Sequence, residues 1–190
     1  MPRWPEGSRR RLIDTSLALF AEHGYADASI RDIALAAGLA PRTFYRYFTD
    51  KEEVLFGDDD QLLPVLLDAI AGGIGPVNAE RHMSAALSRL ALVLEPQRET
   101  LRIRQKIIDS QVSLTGRELA KQALWQQKVT AALIERGFLP AQADLLASLG
   151  FALFRQTLHS WLADDDDRSL ADRMGEALRH ARTVLDVSSS

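Results

Sequence analysis

The sequence has no cysteine among its 190 residues. This absence excludes disulfide bonds, thiolate metal sites and cysteine nucleophiles together. Long apolar runs are missing too, since no stretch approaches the roughly 20 residues that a membrane-spanning helix needs. An arginine run at residues 9–11 precedes two apolar residues, but Asp14 interrupts the apolar pattern at once, unlike a signal peptide. We therefore expect a cytoplasmic protein without a membrane partner.

A strong net charge is also lacking. With 23 Lys and Arg against 26 Asp and Glu, the formal net charge is −3, so the chain is not a polycation that coats nucleic acid. Residues 1–49 nevertheless carry seven arginines and five acidic residues, a net charge of +2, and the remaining chain carries −5. This small asymmetry favours an anionic partner for the N-terminal part of the chain.

Strand-like alternation of apolar and polar residues is missing, and Leu and Ala dominate the apolar positions, as in helices. The sequence therefore predicts an all-α fold. We expect about nine helices, at residues 8–23, 29–37, 41–48, 51–70, 79–94, 97–110, 115–137, 140–162 and 169–185. Thr49–Glu52 and Thr115–Glu118 have the spacing of helix caps, and the glycine-rich residues 72–76 are interpreted as a linker.

Residues 29–51 fit the helix-turn-helix plan, in which the second helix enters the DNA major groove. The first helix begins with a Ser29–Asp32 capping pattern and ends at Gly38, where a glycine can adopt the left-handed conformation. The short second helix opens with Pro41, which is tolerated in a first turn.

That second helix is polar for its size. Phe44 and Phe48 are four residues apart and share one inward face, whereas the other positions carry Arg, Thr and Tyr. Arginine binds guanine edges, and Thr and Tyr reach phosphates or the thymine methyl group. The alternative for Tyr45 and Tyr47 is a pair of half-buried tyrosines that only pack the helix.

Four segments closely resemble the DNA-binding domain of the TetR family of bacterial transcriptional regulators, at residues 20–25, 29–39, 43–48 and 51–52. The match is ordered and almost ungapped over residues 8–56. The resemblance implies a DNA-binding domain at 1–56 and a ligand-binding and dimerisation domain at 57–190. It also implies a DNA-binding regulator and not an enzyme, with no cofactor and no metal.

The resemblance also assigns roles by position. By this resemblance, the residues near base edges would be Arg31, Arg42, Thr43 and Tyr47. The residues that hold phosphates would be Ser29, Ile30 (through its backbone N–H), Tyr45 and Lys51. The small core of this domain would contain Phe20, Ile33, Ala34, Phe44 and Phe48. The sequence departs from the family pattern at Ala40, where such helices often begin with Ser, Thr or Asn. Loss of that side-chain cap costs the second helix about 1 kcal/mol.

Within the C-terminal part, residues 98–108 and the helix around Trp125 resemble mycofactocin-type and acyl-CoA-type regulators. The expected effector is a small apolar or acyl-type molecule, such as an acyl-CoA. Ligand pockets need a few polar groups in an apolar lining. The candidate pocket residues are Arg104, Gln105, Gln122, Trp125, Phe151, Gln156 and His159. For His159, a place in the core or at an interface is the alternative.

We expect a repressor that binds a near-palindromic, double-stranded operator as a homodimer. The last two helices of each copy would form a four-helix bundle, with candidate interface residues Leu145, Leu149, Leu153, Leu170, Met174, Leu178, Arg182 and Leu185. A bound ligand would shift the fourth predicted helix and change the spacing of the two DNA-reading helices.

Two features have alternative interpretations. The arginines at residues 9–11, with Arg3, are either a solvated helix start or an arm that enters the minor groove. The acidic residues 164–167 lack the spaced ligands of a calcium loop and are interpreted as a solvated loop. Two other functions compete with the regulator. One is an enzyme with its site in the C-terminal part, and the other is a helical adaptor that binds protein through the aromatic helix.

Overall fold

The computed structural model describes residues 7–57, 61–72 and 79–186. These residues form ten α-helices and a short 3-10 turn at Glu95–Gln97, with no strand among them, and the predicted all-α fold is confirmed. The helices are α1 (Ser8–His23), α2 (Ile30–Ala36), α3 (Pro41–Tyr47), α4 (Glu53–Phe56), α5 (Leu62–Ala71), α6 (Ala79–Leu94), α7 (Arg98–Asp109), α8 (Val112–Glu135), α9 (Pro140–Ala163) and α10 (Leu170–Asp186). In this part of the chain, no helix is both long enough and apolar enough to cross a bilayer.

The helix predicted over residues 51–70 is described as two helices, α4 and α5, and residues 58–60 lie outside the description. The predicted Thr49–Glu52 cap is not formed, because α4 begins at Glu53 and its N-cap residue, Glu52, makes no side-chain cap hydrogen bond. The Asp50 carboxylate accepts a hydrogen bond of 2.8 Å from the backbone N–H of Glu53. Most of the predicted linker at residues 72–76 also lies outside the described residues.

Helix α8 begins at Val112, before the cap predicted at Thr115. The Thr115 hydroxyl donates instead to the carbonyl oxygens of Ile108 (3.2 Å) and Gln111 (3.3 Å). Thr115 therefore connects the end of α7 to the start of α8 and does not begin a helix.

The chain divides into two compact units. The first unit comprises Met1–Asp60 and Glu99–Glu118, and the second comprises Gln61–Arg98 and Leu119–Ser190. Almost all of α7 and the first turns of α8 therefore belong with α1–α4, whereas the rest of α8 belongs to the second unit. The functional division predicted between residues 56 and 57 concerns binding partners and stays a prediction.

The core of the first unit combines four N-terminal helices with residues from much later in the chain. The predicted core residues are buried, with at most 2% of their surface exposed, and this prediction is confirmed for Phe20, Ile33, Ala34, Phe44 and Phe48. Ile107, Ile108 and Leu114 pack in the same apolar cluster. Since Ile108 and Leu114 have no exposed surface, α7 and the start of α8 are integral to this core.

The second unit has its own apolar core, to which α5, α6, α8 and α9 contribute. Leu66 and Ile70 from α5 pack with Val129 and Leu133 from α8, and Phe151 represents α9. A neighbouring cluster joins α6 to α10 through Met83, Leu87 and Met174.

The acidic segment 164–167 is only partly a solvated loop, because two of its carboxylates bind Arg173. Arg173 is 6% exposed, and its guanidinium donates to Asp164 (2.6 Å), Asp166 (2.5 Å) and the Ser160 hydroxyl (3.0 Å). Hydrogen bonds from Arg173 and Arg168 lower the pKa of Asp166 to about 2. These contacts join the end of α9 to α10.

Candidate nucleic-acid interface

The turn between α2 and α3 is built on Gly38. Its φ is +68°, in the left-handed region that favours glycine, and its N–H donates to the Leu35 carbonyl oxygen at 2.9 Å. Helix α3 then begins at Pro41, and Ala40 provides no side-chain cap, as its sequence position predicts. The turn thus directs the chain into α3 within a few residues.

Helix α3 has a buried face and an exposed face. Phe44 and Phe48 are 0% and 2% exposed, and their ring centroids lie 5.3 Å apart. Arg42 is exposed, Thr43 is half-buried, and Tyr45 keeps 60% of its surface accessible. A large aromatic side chain at that exposure contributes little to packing, so Tyr45 is better placed for contact with a partner than for the core.

Tyr47 is held against the body of the first unit. Its ring packs against the core cluster, and the Arg46 guanidinium lies 4.7 Å from the ring centroid. Arg46 also donates a hydrogen bond of 2.8 Å to the Tyr47 hydroxyl. The hydroxyl keeps one proton of its own to donate, so Tyr47 presents a polar group on a rigid ring.

The residues at the start of α2 form a closed cap. The Ser29 hydroxyl accepts from the Asp32 N–H (3.2 Å) and donates to the Asp32 carboxylate (2.5 Å). The carboxylate also accepts from the Ser29 N–H, so the predicted capping box is confirmed. Ile30 is half-buried and Arg31 is exposed. Phosphate contacts by Ser29 or Ile30, and base contact by Arg31, stay predictions.

Lys51 has a set of partners within the protein. Its Nζ donates to the carbonyl oxygens of Tyr25 (2.7 Å), Ala28 (3.0 Å) and Ala26 (3.4 Å), and it lies 4.2 Å from the Tyr25 ring centroid. Burial lowers the pKa of Lys51 against the raising effect of Asp27 and Glu52. Lys51 therefore holds the α1–α2 loop, and the phosphate contact proposed for it stays a prediction.

Two acidic residues that precede α4, Asp50 and Glu52, act electrostatically on Tyr25 in this loop. Burial raises the pKa of Tyr25 to about 12, and the charges of Glu52 and Asp50 add to the rise. Burial also opposes ionisation of Asp50, but hydrogen bonds from Arg117 and the Glu53 N–H outweigh it and lower the Asp50 pKa. Sequence reasoning does not find Arg117, because no local pattern relates it to Asp50.

The arginine run is not a uniformly solvated helix start. The Arg9 guanidinium donates to the Gly57 carbonyl oxygen and lies 5.5 Å from the Phe48 ring centroid. Gly57 accommodates this packing, since a Cβ there would lie 2.9 Å from the Phe48 ring. Arg10 pairs with Asp14 on the surface. Arg3, the other residue of the proposed arm, lies outside the described residues.

Two of the predicted pocket residues belong to the first unit. Arg104 donates to the Leu55 carbonyl oxygen and lies 5.3 Å from the Phe56 ring centroid. Gln105 is 7% exposed and donates to Asp109 at 3.0 Å. Arg104 therefore secures α7 within the first unit, whereas the Gln105–Asp109 bond lies within α7 itself.

The other five lie on α8 and α9 of the second unit, and the structure does not bring them all to one cavity. Phe151 lines a small apolar cavity, Trp125 packs against the same core, and Gln122 donates to the Phe151 carbonyl oxygen at 3.4 Å. Gln156 is exposed and lines the groove between α9 and α10, and His159 is half-buried.

The predicted interface residues divide into exposed and buried sets. Leu145 and Leu149 are 70% and 37% exposed, and Leu153 lines the same α9–α10 groove as Leu149. Leu170 and Met174 are fully buried in the chain's own core, so they do not face a second copy. Leu178 is partly buried beside Met174, and Arg182 is exposed, whereas the Leu185 side chain lies outside the described residues.

Comparisons with known proteins agree with the helix-turn-helix arrangement. The profile of "bacterial regulatory proteins, tetR family" matches residues 12–56. A Mycobacterium tuberculosis protein described as a mycofactocin biosynthesis transcriptional regulator, MftR, is 30% identical over 200 aligned positions that cover 98% of each chain. The HTH-type transcriptional repressor KstR2 of Rhodococcus jostii is 26% identical over 169 positions, which cover 83% of this chain and 78% of KstR2.

The fold is also similar to a solved structure, that of the transcriptional regulator FadR from Bacillus subtilis in complex with stearoyl-CoA. The TM-score is 0.64 at 19% sequence identity, and the alignment covers 90% of this chain and 95% of that one. At this identity the likeness concerns the fold alone.

Proposed function

This chain belongs to the TetR family of bacterial transcriptional regulators, and we propose that it is a homodimeric repressor released from a near-palindromic operator by an apolar or acyl-type ligand. It is a regulator and not an enzyme. The observation that carries the proposal is helix α3, which is anchored by Phe44 and Phe48 and leaves Arg42 and Tyr45 exposed.

Sequence reading would rest on α3. Arg42 would donate to a guanine edge, and its exposure in the first turn of the helix supports this role. Thr43 and Tyr47 would contact bases beside it, and Tyr45 would bind a phosphate. The rigid packing of Phe44 and the Tyr47 ring would keep these groups in register with the groove.

A homodimer is supported by the outer face of α9 and α10. Leu145 and Leu149 are exposed although they are apolar, and the adjacent groove of about 650 Å³ is lined by further apolar side chains, including Leu153 and Val184, together with polar and charged ones. An apolar surface of this kind is favourable when a second copy covers it. The α3 helices of the two copies would then read half-sites whose centres lie about 34–36 Å apart, or farther apart by one more turn of the DNA helix.

The apolar or acyl-type ligand is supported by a small cavity in the second unit, at which all the described lining residues are apolar. It is also supported by FadR, which was solved with stearoyl-CoA, whereas the description of KstR2 as a repressor supports the proposed sign of regulation. Helix α8 would couple ligand to DNA, because its first turns belong to the first unit and Trp125 and Val129 belong to the second. The ligand can lower DNA affinity only by the factor by which it binds the DNA-free conformation more tightly than the DNA-bound one.

Selection of bound sequences from a random DNA pool tests the proposal. We expect enrichment of one near-palindromic site. Arg42→Ala should then lower affinity for that site by about 1–3 kcal/mol at fixed salt, with the mass of the dimer unchanged. Arg89→Ala removes the same charge from an exposed position on α6 and should leave affinity unchanged. A pool that shows no enriched sequence contradicts the proposal.

The dimer is tested separately. Leu145→Glu combined with Leu149→Glu should give a monomer by light scattering and lose operator binding, because two charges would face a partner copy. Leu124→Glu, at a 58%-exposed position on α8, is the control and should remain dimeric. A double variant of unchanged mass contradicts the assignment of this face.

A further inference from the structure

A small apolar cavity lies in the second unit. It lies among α5, α6, α8 and α9 and has a volume of about 10 Å³. Among the residues that the structure describes, leucine, valine, alanine and phenylalanine side chains line it together with Met83 and Gly150, and no polar side chain does. A space this small holds at most one water, and an apolar lining offers that water no hydrogen bond. Anything larger than a water needs the lining to move.

Met83 and Gly150 lie against each other in the lining. A Cβ at Gly150 would lie 2.6 Å from Sδ and 2.9 Å from Cε of Met83, so the thioether rests directly on the α9 backbone. Met83 is 7% exposed and also packs with Leu87 and Met174. Of the lining side chains that the structure describes, only that of Met83 is long and unbranched, and methionine changes rotamer at low cost.

We propose that Met83 is a movable plug, and that the Met83–Gly150 pair sets the length of the unbranched hydrocarbon segment that the cavity accepts. The inference rests on the proposed ligand response. When the thioether leaves the notch over Gly150, the space it vacates has the width of a single alkyl chain. The segment that enters must be apolar, because a polar group there would lose its hydrogen bonds to water without replacement.

Displacement of Met83 also gives the ligand a route to α10. Met83 packs with Met174, which has no exposed surface, so a shift of one side chain requires a shift of the other. Helix α10 lines the groove assigned above to the second copy. Filling the cavity would therefore act on the surface that sets the spacing of the two DNA-reading helices.

Two substitutions at the plug have opposite expected effects. Met83→Ala leaves the notch permanently open and should move the preferred chain to a greater length. Gly150→Ala places a methyl group where the thioether lies, so it forces Met83 into the cavity and should shorten the preferred chain. Leu133→Ala is the control for lost packing, because Leu133 is 2% exposed in the same unit but does not line the cavity.

The test uses the full chain without DNA and a series of saturated fatty acids from octanoate to octadecanoate, with affinities measured by isothermal titration calorimetry. Each methylene that fits should raise affinity about fourfold, corresponding to about 0.8 kcal/mol, up to the length at which the cavity is full. Met83→Ala should extend this rise to longer acids, and Gly150→Ala should end it earlier. Leu133→Ala should melt at a lower temperature with an unchanged preferred length.

An identical length preference in the wild type, Met83→Ala and Gly150→Ala overturns the plug. If Gly150→Ala does not fold, the comparison of Met83→Ala with Met83→Leu tests the plug. Met83→Ala should extend the preferred length, whereas the branched leucine should change that length without opening the notch. Failure of every fatty acid to bind also overturns the plug and the acyl-type ligand. The selection of operator DNA measures the regulator itself and is independent of these results.

Discussion

Arg117 on α8 contacts both carboxylate oxygens of Asp50, at 2.9 and 2.8 Å, although 67 residues separate the two in the chain. The same guanidinium nitrogen lies 3.1 Å from the Glu52 carboxylate. Asp50 also accepts a hydrogen bond from the N–H of Glu53, the first residue of α4, so Arg117 holds a carboxylate that binds the start of that helix. The start of α8 and the end of the helix-turn-helix segment are thereby joined within the first unit.

Arg117→Ala should destabilise the first unit. The pair is partly exposed, so its loss should cost about 1 kcal/mol and lower the melting temperature by about 2–4 °C. Thermal unfolding followed by circular dichroism measures the change. Arg10→Ala removes an exposed pair with Asp14 on α1 and serves as the control, with a smaller expected shift. Equal shifts in the two variants would contradict the role of Arg117.

Lys51→Met should lower both stability and DNA affinity. Its ammonium group holds backbone carbonyls of the α1–α2 loop, and loss of these charged hydrogen bonds should cost about 1–2 kcal/mol. If Lys51 also neutralises a phosphate, the salt dependence of binding should flatten by about one charge. Melting curves and gel shifts at several salt concentrations separate the two roles. An unchanged melting temperature would exclude the loop contact as a source of stability.

Gly38→Ala and Gly116→Ala should change stability in opposite directions. Gly38 has φ +68°, so an alanine there should cost about 1–2 kcal/mol. Gly116 is exposed inside α8 with open space around it, and alanine there should stabilise by about 0.5–1 kcal/mol. Urea unfolding of the two variants checks both signs, and only Gly38→Ala should impair DNA binding. A neutral Gly38→Ala would contradict the left-handed turn.

Asp166→Asn should change the response to acid. Its hydrogen bonds with Arg173 and Arg168 lower the pKa from 3.8 to about 2. The stabilisation is therefore present above about pH 4 and is lost as the pH falls toward 2, because the unfolded chain takes up the proton first. Unfolding midpoints should fall less steeply over this range in Asp166→Asn than in the wild type. Asp167→Asn removes one charge from the same loop and should retain the steeper fall.

Much of the helix-turn-helix segment could be predicted because its determinants are local. The Ser29–Asp32 cap, the glycine turn and the four-residue spacing of Phe44 and Phe48 each lie within one or two helical turns. Local hydrogen-bonding chemistry and helical periodicity were sufficient to identify them. The DNA contacts of this segment stay predictions.

The contacts that secure the segment could not be predicted in this way. Arg117 and Arg104 bind residues far away in the chain, and nothing in their own neighbourhood identifies those partners. Periodicity also marks the apolar face of α10 without showing what covers it. Met174 is consequently buried within the chain, although its position in the sequence suits an interface between copies equally well.

The composition of the first unit has a consequence for biosynthesis. Helices α1–α3 are made first, but residues 99–118 complete their core, and Ile108 and Leu114 are fully buried there. Because a chain emerges from the ribosome N-terminus first, a nascent chain that ends before α7 would leave apolar side chains of α1–α4 facing water. The helices proposed to read DNA would reach their finished form only once translation has passed residue 118, by which time α5 and α6 of the proposed sensing region are already made.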